Sequence, residues 1–309
     1  MTDYLALILG VVCAGVGGEI FIRGAVGVAR STRISPAIIG VTVAAFATSS
    51  PELAVGVRAS LAGAPQISLG DVLGSNVVNV ALILALALCI SGIVASRQSI
   101  KRDFSVAIIA PIALGLLSLD GWLSRLDGFL LFAGFTGWLI ATVREARRQR
   151  SSTEADPARQ RIGLAIVLCA AGLAFLIGAG HFVVAGARGI AISYGVGEFV
   201  IGATVVAVGT SMPELATTII AKLRGHDEVG LGGILGSNIF NGLLVVAVVA
   251  MICPIAVDWR EVAVALMCGL LAVAFTFPVG SGLIRRRRGV LLLVLYGLYL
   301  AIILRTRSA

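Results

Sequence analysis

The chain has 309 residues, of which 58% are hydrophobic and 13% charged, with a formal net charge of +8. Globular domains carry about 25% charged residues, so this balance excludes a soluble enzyme and fits a membrane protein. The positive charge comes without any aromatic-basic platform, so nothing points to a nucleic-acid partner.

Ten apolar runs are predicted as membrane spans, at 4–29, 35–62, 67–93, 104–119, 124–143, 162–187, 195–222, 228–253, 260–280 and 289–305. Ahead of the first, Met1-Thr2-Asp3-Tyr4 lacks the basic region of a signal peptide, so that run is expected to stay in the membrane. The second run carries Ala47-Thr48-Ser49-Ser50-Pro51-Glu52 and the third Gly74-Ser75-Asn76-Val77-Val78-Asn79. With the fourth and fifth runs they make a first half, 1–143. The connector 144–161 is polar and is expected to be a flexible cytoplasmic linker. In the second half, 162–309, the seventh run carries Gly209-Thr210-Ser211-Met212-Pro213-Glu214 and the eighth Gly236-Ser237-Asn238-Ile239-Phe240-Asn241. Cys13, Cys89, Cys169, Cys253 and Cys268 stand singly in apolar runs and read as packing residues, with no metal or disulfide role.

One offset of 162 residues relates Glu52 to Glu214 and Asn79 to Asn241, which marks a duplicated unit. The repeat reaches upstream, matching Gly18, Gly24 and Ala25 with Gly180, Gly186 and Ala187, small residues that let helices approach closely. Gly40-Val41-Thr42-Val43 likewise matches Gly202-Ala203-Thr204-Val205. With five spans per half, the second half enters the membrane from the opposite side, the inverted-repeat plan of secondary transporters. Basic residues gather after the odd-numbered spans, in Arg30 and Arg33, Arg97 to Arg102, the 144–161 connector, Lys222 and Arg224, and Arg285 to Arg288. The positive-inside rule then places both termini outside.

Pro51 and Pro213 cannot donate to the carbonyls of Ala47 and Gly209, and freed carbonyls in a bilayer need partners. Helical spacing sets Thr48 and Ser49 beside Glu52, and Thr210 and Ser211 beside Glu214. Ser75 with Asn79, and Ser237 with Asn241, are each four apart and able to aim in one direction. Carboxylate, hydroxyl, amide and carbonyl oxygens are hard ligands suited to Ca²⁺ or Na⁺. A carboxylate buried in a membrane costs on the order of 2.5–3.5 kcal/mol or more, so a pair at equivalent positions signals function.

At these residues the chain resembles the cation/Ca²⁺ exchanger superfamily, prokaryotic Na⁺/Ca²⁺ exchangers with two alpha-repeats in particular, and the resemblance covers all ten spans. It implies an all-α membrane protein of ten transmembrane helices in two inverted five-helix repeats. Spans 2, 3, 7 and 8 would surround a central cation cluster, with alternating access, in a prokaryotic plasma membrane. It further implies Glu52 and Glu214 as central ligands. Thr48, Ser49, Thr210 and Ser211 would serve through hydroxyl or backbone oxygens, Ser75 and Ser237 through hydroxyls, Asn79 and Asn241 through amides, and Ala45 and Ala207 through carbonyls. The substrates implied are Ca²⁺ and Na⁺, with no resident cofactor.

Two departures stand out: Ala47 replaces a glycine, and Asn241 stands where some microbial relatives have aspartate, leaving two acids where three occur. Asp71 faces Gly233 at the equivalent position and reads as an edge-of-site or helix-end residue. Glu19 and His181 share a repeat position and read as packing residues. A Ca²⁺/H⁺ or Na⁺/H⁺ exchanger using the same carboxylates is the alternative. An intramembrane hydrolase lacks a G-x-S-x-G elbow, and an ATP-driven pump lacks its phosphate loop.

Overall fold

The computed structural model describes residues 2–32, 34–61, 63, 65–96, 100–150, 162–193, 207–278 and 282–305, which are helical apart from short connectors and two-residue strands. Helix α1 (Thr2–Thr32) spans the first apolar run. The second run is broken into α2 (Pro36–Ile39), a π-helical turn at Gly40–Ala44, α3 (Ala45–Thr48) and α4 (Ser50–Leu61). Next come α5 (Pro65–Val77), a π-helical stretch at Val78–Leu84, α6 (Ala85–Ile90) and strand β1 (Ile93–Val94). A π-helical turn at Ile100–Phe104 opens α7 (Ser105–Leu117), and β2 (Trp122–Leu123) leads into α8 (Arg125–Arg150).

The second half begins with α9 (Ile162–Ser193), followed by the abutting pair α10 (Ala207–Thr210) and α11 (Met212–Leu223). It continues through α12 (Asp227–Ile239), a π-helical stretch at Phe240–Val245, α13 (Val246–Ile252) and β3 (Ile255–Ala256). Helix α14 (Trp259–Thr276), β4 (Leu283–Ile284) and α15 (Arg286–Arg305) complete the described chain.

One boundary changes: α8 runs on to Arg150, so the first part of the expected linker is helical, because its Arg, Glu, Ala and Gln residues favour helix even without an apolar face. Residues 151–161 of that linker and 195–206 of the seventh run lie outside the described residues. Helical stretches at Pro36–Val57, Ser68–Ile90, Arg125–Arg148 and Asp227–Ile252 are each long and apolar enough to cross a bilayer.

The stretches within Ser68–Ile90 and Asp227–Ile252 are 78% and 83% buried, against 28% for the one within Arg125–Arg148. Helices α5 and α12 therefore form the centre and α8 the periphery. Helix α12 packs on α2, α3 and the intervening π-helical turn. Contact there requires glycine at Gly236, where an added Cβ would lie 2.5 Å from the Val41 carbonyl oxygen. Helix α1 lies along α9. Gly24 sits in that seam, as its small side chain suggested, with room for nothing larger: a Cβ would come within 2.6 Å of Cys169 N.

Two antiparallel ribbons tie the halves together. Strand β1 pairs with β4, Ile93 opposite Ile284, and β2 pairs with β3, Trp122 opposite Ala256. Beside the first ribbon, Lys222 Nζ donates to Gly92 O at 3.0 Å and Asp227 Oδ2 at 2.9 Å, and Arg286 donates to Cys89 O at 2.7 Å. Beside the second, Trp259 Nε1 donates to Ser118 O at 2.9 Å. Connectors following the third, seventh and ninth runs thus meet one another, and those following the fourth and eighth meet separately.

Candidate cation site

The helix break in each half sets the position of its acid. Proline carries no N–H, and the chain turns at Ser49 (φ −87°, ψ 6°) and Ser211 (φ −81°, ψ 7°) before a new helix starts. Glu52 and Glu214 fall in the first turns of α4 and α11, where unpaired N–H groups and the helix dipole favour a carboxylate. Both are fully enclosed, 0% and 1% exposed.

The hydroxyls do not serve the acid of their own motif, as continuous helical spacing predicted. Ser49 Oγ donates to Glu214 Oε1 at 3.2 Å, across the two halves, and Ser237 Oγ donates to the same oxygen at 3.0 Å. Thr48 Oγ1 lies 3.4 Å from Ser237 Oγ and donates to the Ala44 carbonyl at 3.0 Å. The break at Ser49 is the reason, since it turns the Ser49 hydroxyl off the face that carries Glu52.

The counterpart contact, Thr210 Oγ1 to Ser75 Oγ, is also 3.4 Å. From there the arrangement diverges. Thr210 stands beside Glu52, and its Oγ1 lies 3.3 Å from Asp71 Oδ1 and 3.2 Å from the Ala207 carbonyl oxygen. Neither Glu52 oxygen has a hydrogen-bond partner, and the same holds for Ser211 Oγ, Glu214 Oε2, Asp71 Oδ2 and both amide atoms of Asn241, all buried. Asp71 is 5% exposed, and Glu52 lies within electrostatic reach of both Glu214 and Asp71.

The Ala45 carbonyl accepts from Ser49 N at 2.9 Å and from Thr48 Oγ1 at 3.4 Å, and that of Ala207 from Ser211 N at 3.1 Å and Thr210 Oγ1 at 3.2 Å. Each has helical partners already, so a cation there would share the oxygen with them. Asn79 lies in the π-helical stretch that begins at Val78. Its Nδ2 donates to Asn238 Oδ1 at 3.1 Å. The second π-helical stretch, from Phe240, carries Asn241 in the same way. Among the described residues no three His, Cys, Asp or Glu side chains converge closely enough to hold a metal ion by themselves. Any cation here would rely on the neutral oxygens between the acids.

Sequence comparison matches a family model described as "Sodium/calcium exchanger protein" over residues 2–144 and 164–305. The chain belongs to the sodium/calcium exchanger family. It is accordingly an integral membrane protein and a secondary transporter, not an enzyme. Inner membrane protein YrbG of Escherichia coli is 34% identical over 74% of this chain and 73% of its own. Sodium/calcium exchanger MaX1 of Methanosarcina acetivorans is 27% identical over 97% of this chain and 98% of its own. The structure of the sodium-calcium exchanger NCX_Mj soaked with 10 mM Na⁺ and 10 mM Sr²⁺ superposes with a TM-score of 0.84 at 31% identity, covering 97% of this chain and 98% of that one.

Within this exchanger fold, sequence reasoning passed over one pair. Asn76 Nδ2 lies 3.5 Å from Asn238 O, and Asn238 Nδ2 donates to Asn76 O at 3.1 Å, a reciprocal contact between α5 and α12. The available signal was their shared place in the two G-S-N motifs at the common offset. Glu19, by contrast, is not packed away: it is 24% exposed and bonds Arg23 and Arg224, each at 2.6 Å. His181, at the equivalent position, is exposed and does not pair with it.

Proposed function

We propose that this exchanger carries Ca²⁺ in one direction and Na⁺ in the other by alternating access, through a central site formed by Glu52 and Glu214. The observation that carries this reading is the set of buried oxygens without a protein partner, both from Glu52 together with Glu214 Oε2, Ser211 Oγ and Asn241 Oδ1, in a region where such groups are costly. Thr48, Ser49, Ser75, Thr210 and Ser237 surround the acids with hydroxyls, and Asn79, Ala45 and Ala207 complete the oxygen set. A proton needs none of these neutral oxygens. Na⁺ does, because several monovalent ions sharing few charges each want several oxygens, and this favours Na⁺ over H⁺ as the coupling ion.

Two inverted five-helix repeats, 1–143 and 162–309, support alternating access on either side of that site. Exchange of the halves turns the β1–β4 ribbon into the β3–β2 ribbon, and the Asn76–Asn238 contact maps onto itself. These relations favour a two-fold axis in the membrane plane between α5 and α12. The grouping of connectors at two ends fits ten spans with both termini outside.

Proteoliposomes provide the test. An outward Na⁺ gradient drives Ca²⁺ uptake with internal and external pH equal and clamped, and uptake responds to membrane potential if three or more Na⁺ exchange for one Ca²⁺. Uptake that follows an imposed pH gradient and ignores Na⁺ would replace this reading with proton coupling.

A further inference from the structure

The two halves of the site are alike in sequence yet unlike in hydrogen bonding. In one, Thr48 leads to Ser237 and Ser237 donates to Glu214. In the other, Ser75 leads to Thr210, at the same 3.4 Å, and Thr210 Oγ1 lies 3.3 Å from Asp71 Oδ1. Symmetry would have Ser75 and Ser211 donate to Glu52, and neither does. The halves also differ at one position: Asp71 lies in the middle of α5, one helical turn before Ser75, and its counterpart in α12 is Gly233, beside which an added Cβ would meet nothing within 4 Å.

We propose that Asp71 supplies a third negative charge to the cation site, so favouring a divalent over a monovalent cation. This rests on the central site proposed above and adds to it a specificity-determining residue. Asp71 is itself 95% enclosed, with Oδ2 unpartnered, and it lies within electrostatic reach of Glu52 and Glu214. Its carboxylate does not join the two glutamates in a three-acid metal cluster. It acts through its charge. A third charge set to one side of the Glu52–Glu214 pair raises the attraction for a doubly charged ion about twice as much as for a singly charged one.

Equilibrium binding of radiolabelled Ca²⁺ and Na⁺ to the purified full-length protein tests the proposal. Asp71→Asn keeps an oxygen that accepts from Thr210 and removes the charge. Ca²⁺ affinity is expected to fall by about tenfold or more, as ligand charge count tunes such sites, and Na⁺ affinity by a clearly smaller factor. Asp71→Glu, which keeps the charge, retains most of the Ca²⁺ affinity. If Asp71→Asn fails to fold, Asp71→Gly copies the residue that the second half holds at this position and carries the same expectation. Ca²⁺ binding within about twofold of the natural protein in the neutral variant, equal losses for both ions, or a loss in Asp71→Glu as deep as in Asp71→Asn would each overturn the proposal. Glu52→Gln and Glu214→Gln measured alongside separate the two readings: if they too bind Ca²⁺ normally, the central site itself is wrong.

Discussion

At the residue scale, the two acids and their partners predict graded effects. Gln at position 52 or 214 keeps the shape and removes one of the charges that offset dehydration of a divalent ion. Glu52→Gln and Glu214→Gln are each expected to lower Na⁺-driven Ca²⁺ uptake in proteoliposomes by about a hundredfold. Retained transport in both would remove these residues from the central role. Ser237→Ala deletes one hydrogen bond to the Glu214 carboxylate and leaves the Ser49 bond in place. The expected cost is about 1.5–3 kcal/mol, or roughly tenfold or more in apparent Ca²⁺ affinity, measured by the same uptake assay. The identities of these residues were legible from the paired motifs. Their partners were not, because Ser49 reaches Glu214 across the interface between halves, and spacing along a chain says nothing about such a contact.

Elements carry the next set of consequences. Sequence reading placed proline within a helix at the second and seventh runs, and the structure resolves the second into short helices meeting at Ser49. That break gives each glutamate a helix N-terminus of its own. The π-helical stretches beginning at Val78 and Phe240 escaped notice, since nothing in a uniformly apolar run marks where the hydrogen-bond pattern shifts from four residues to five. They matter because they turn Asn79 toward α12. The seam between α12 and the second run offers a direct stability test. Gly236→Ala would put a methyl 2.5 Å from Val41 O and 2.6 Å from Ala45 Cβ. Overpacking of this kind costs about 1–3 kcal/mol, and thermal unfolding in detergent should show it as a lowered Tm. An unchanged Tm would mean that α12 sits farther from α3 than described.

For the whole molecule, the arrangement of connectors bears on sidedness. The basic segments after the third, seventh and ninth runs converge, with Lys222 and Arg286 fixed on Gly92 and Cys89. If that end is cytoplasmic, the 144–161 connector is cytoplasmic too. A single cysteine introduced at position 152 on a background lacking the native cysteines should resist an impermeant thiol reagent in intact cells. Labelling after permeabilisation is the control. Reaction in intact cells would reverse the orientation.

The sequence by itself determined membrane class, the number of apolar runs, the duplication and the acids, because hydropathy and a repeated motif are properties of the chain read in order. Hydropathy could not tell which runs lie at the centre; only the family resemblance named spans 2, 3, 7 and 8. Lipid tails and helix interiors are equally apolar, so the enclosed Asp227–Ile252 and the peripheral Arg125–Arg148 both read as spans, although the apolar stretch of one is 83% buried and that of the other 28%. Nor could it place Asp71. Read in order, it was an acid without a counterpart, at the edge of the site or the end of a helix, and only the packing of α5 against α10 brought it to the Thr210 hydroxyl. Which hydroxyl serves which carboxylate depends on distances between helices far apart in sequence, and the tertiary structure alone decided that.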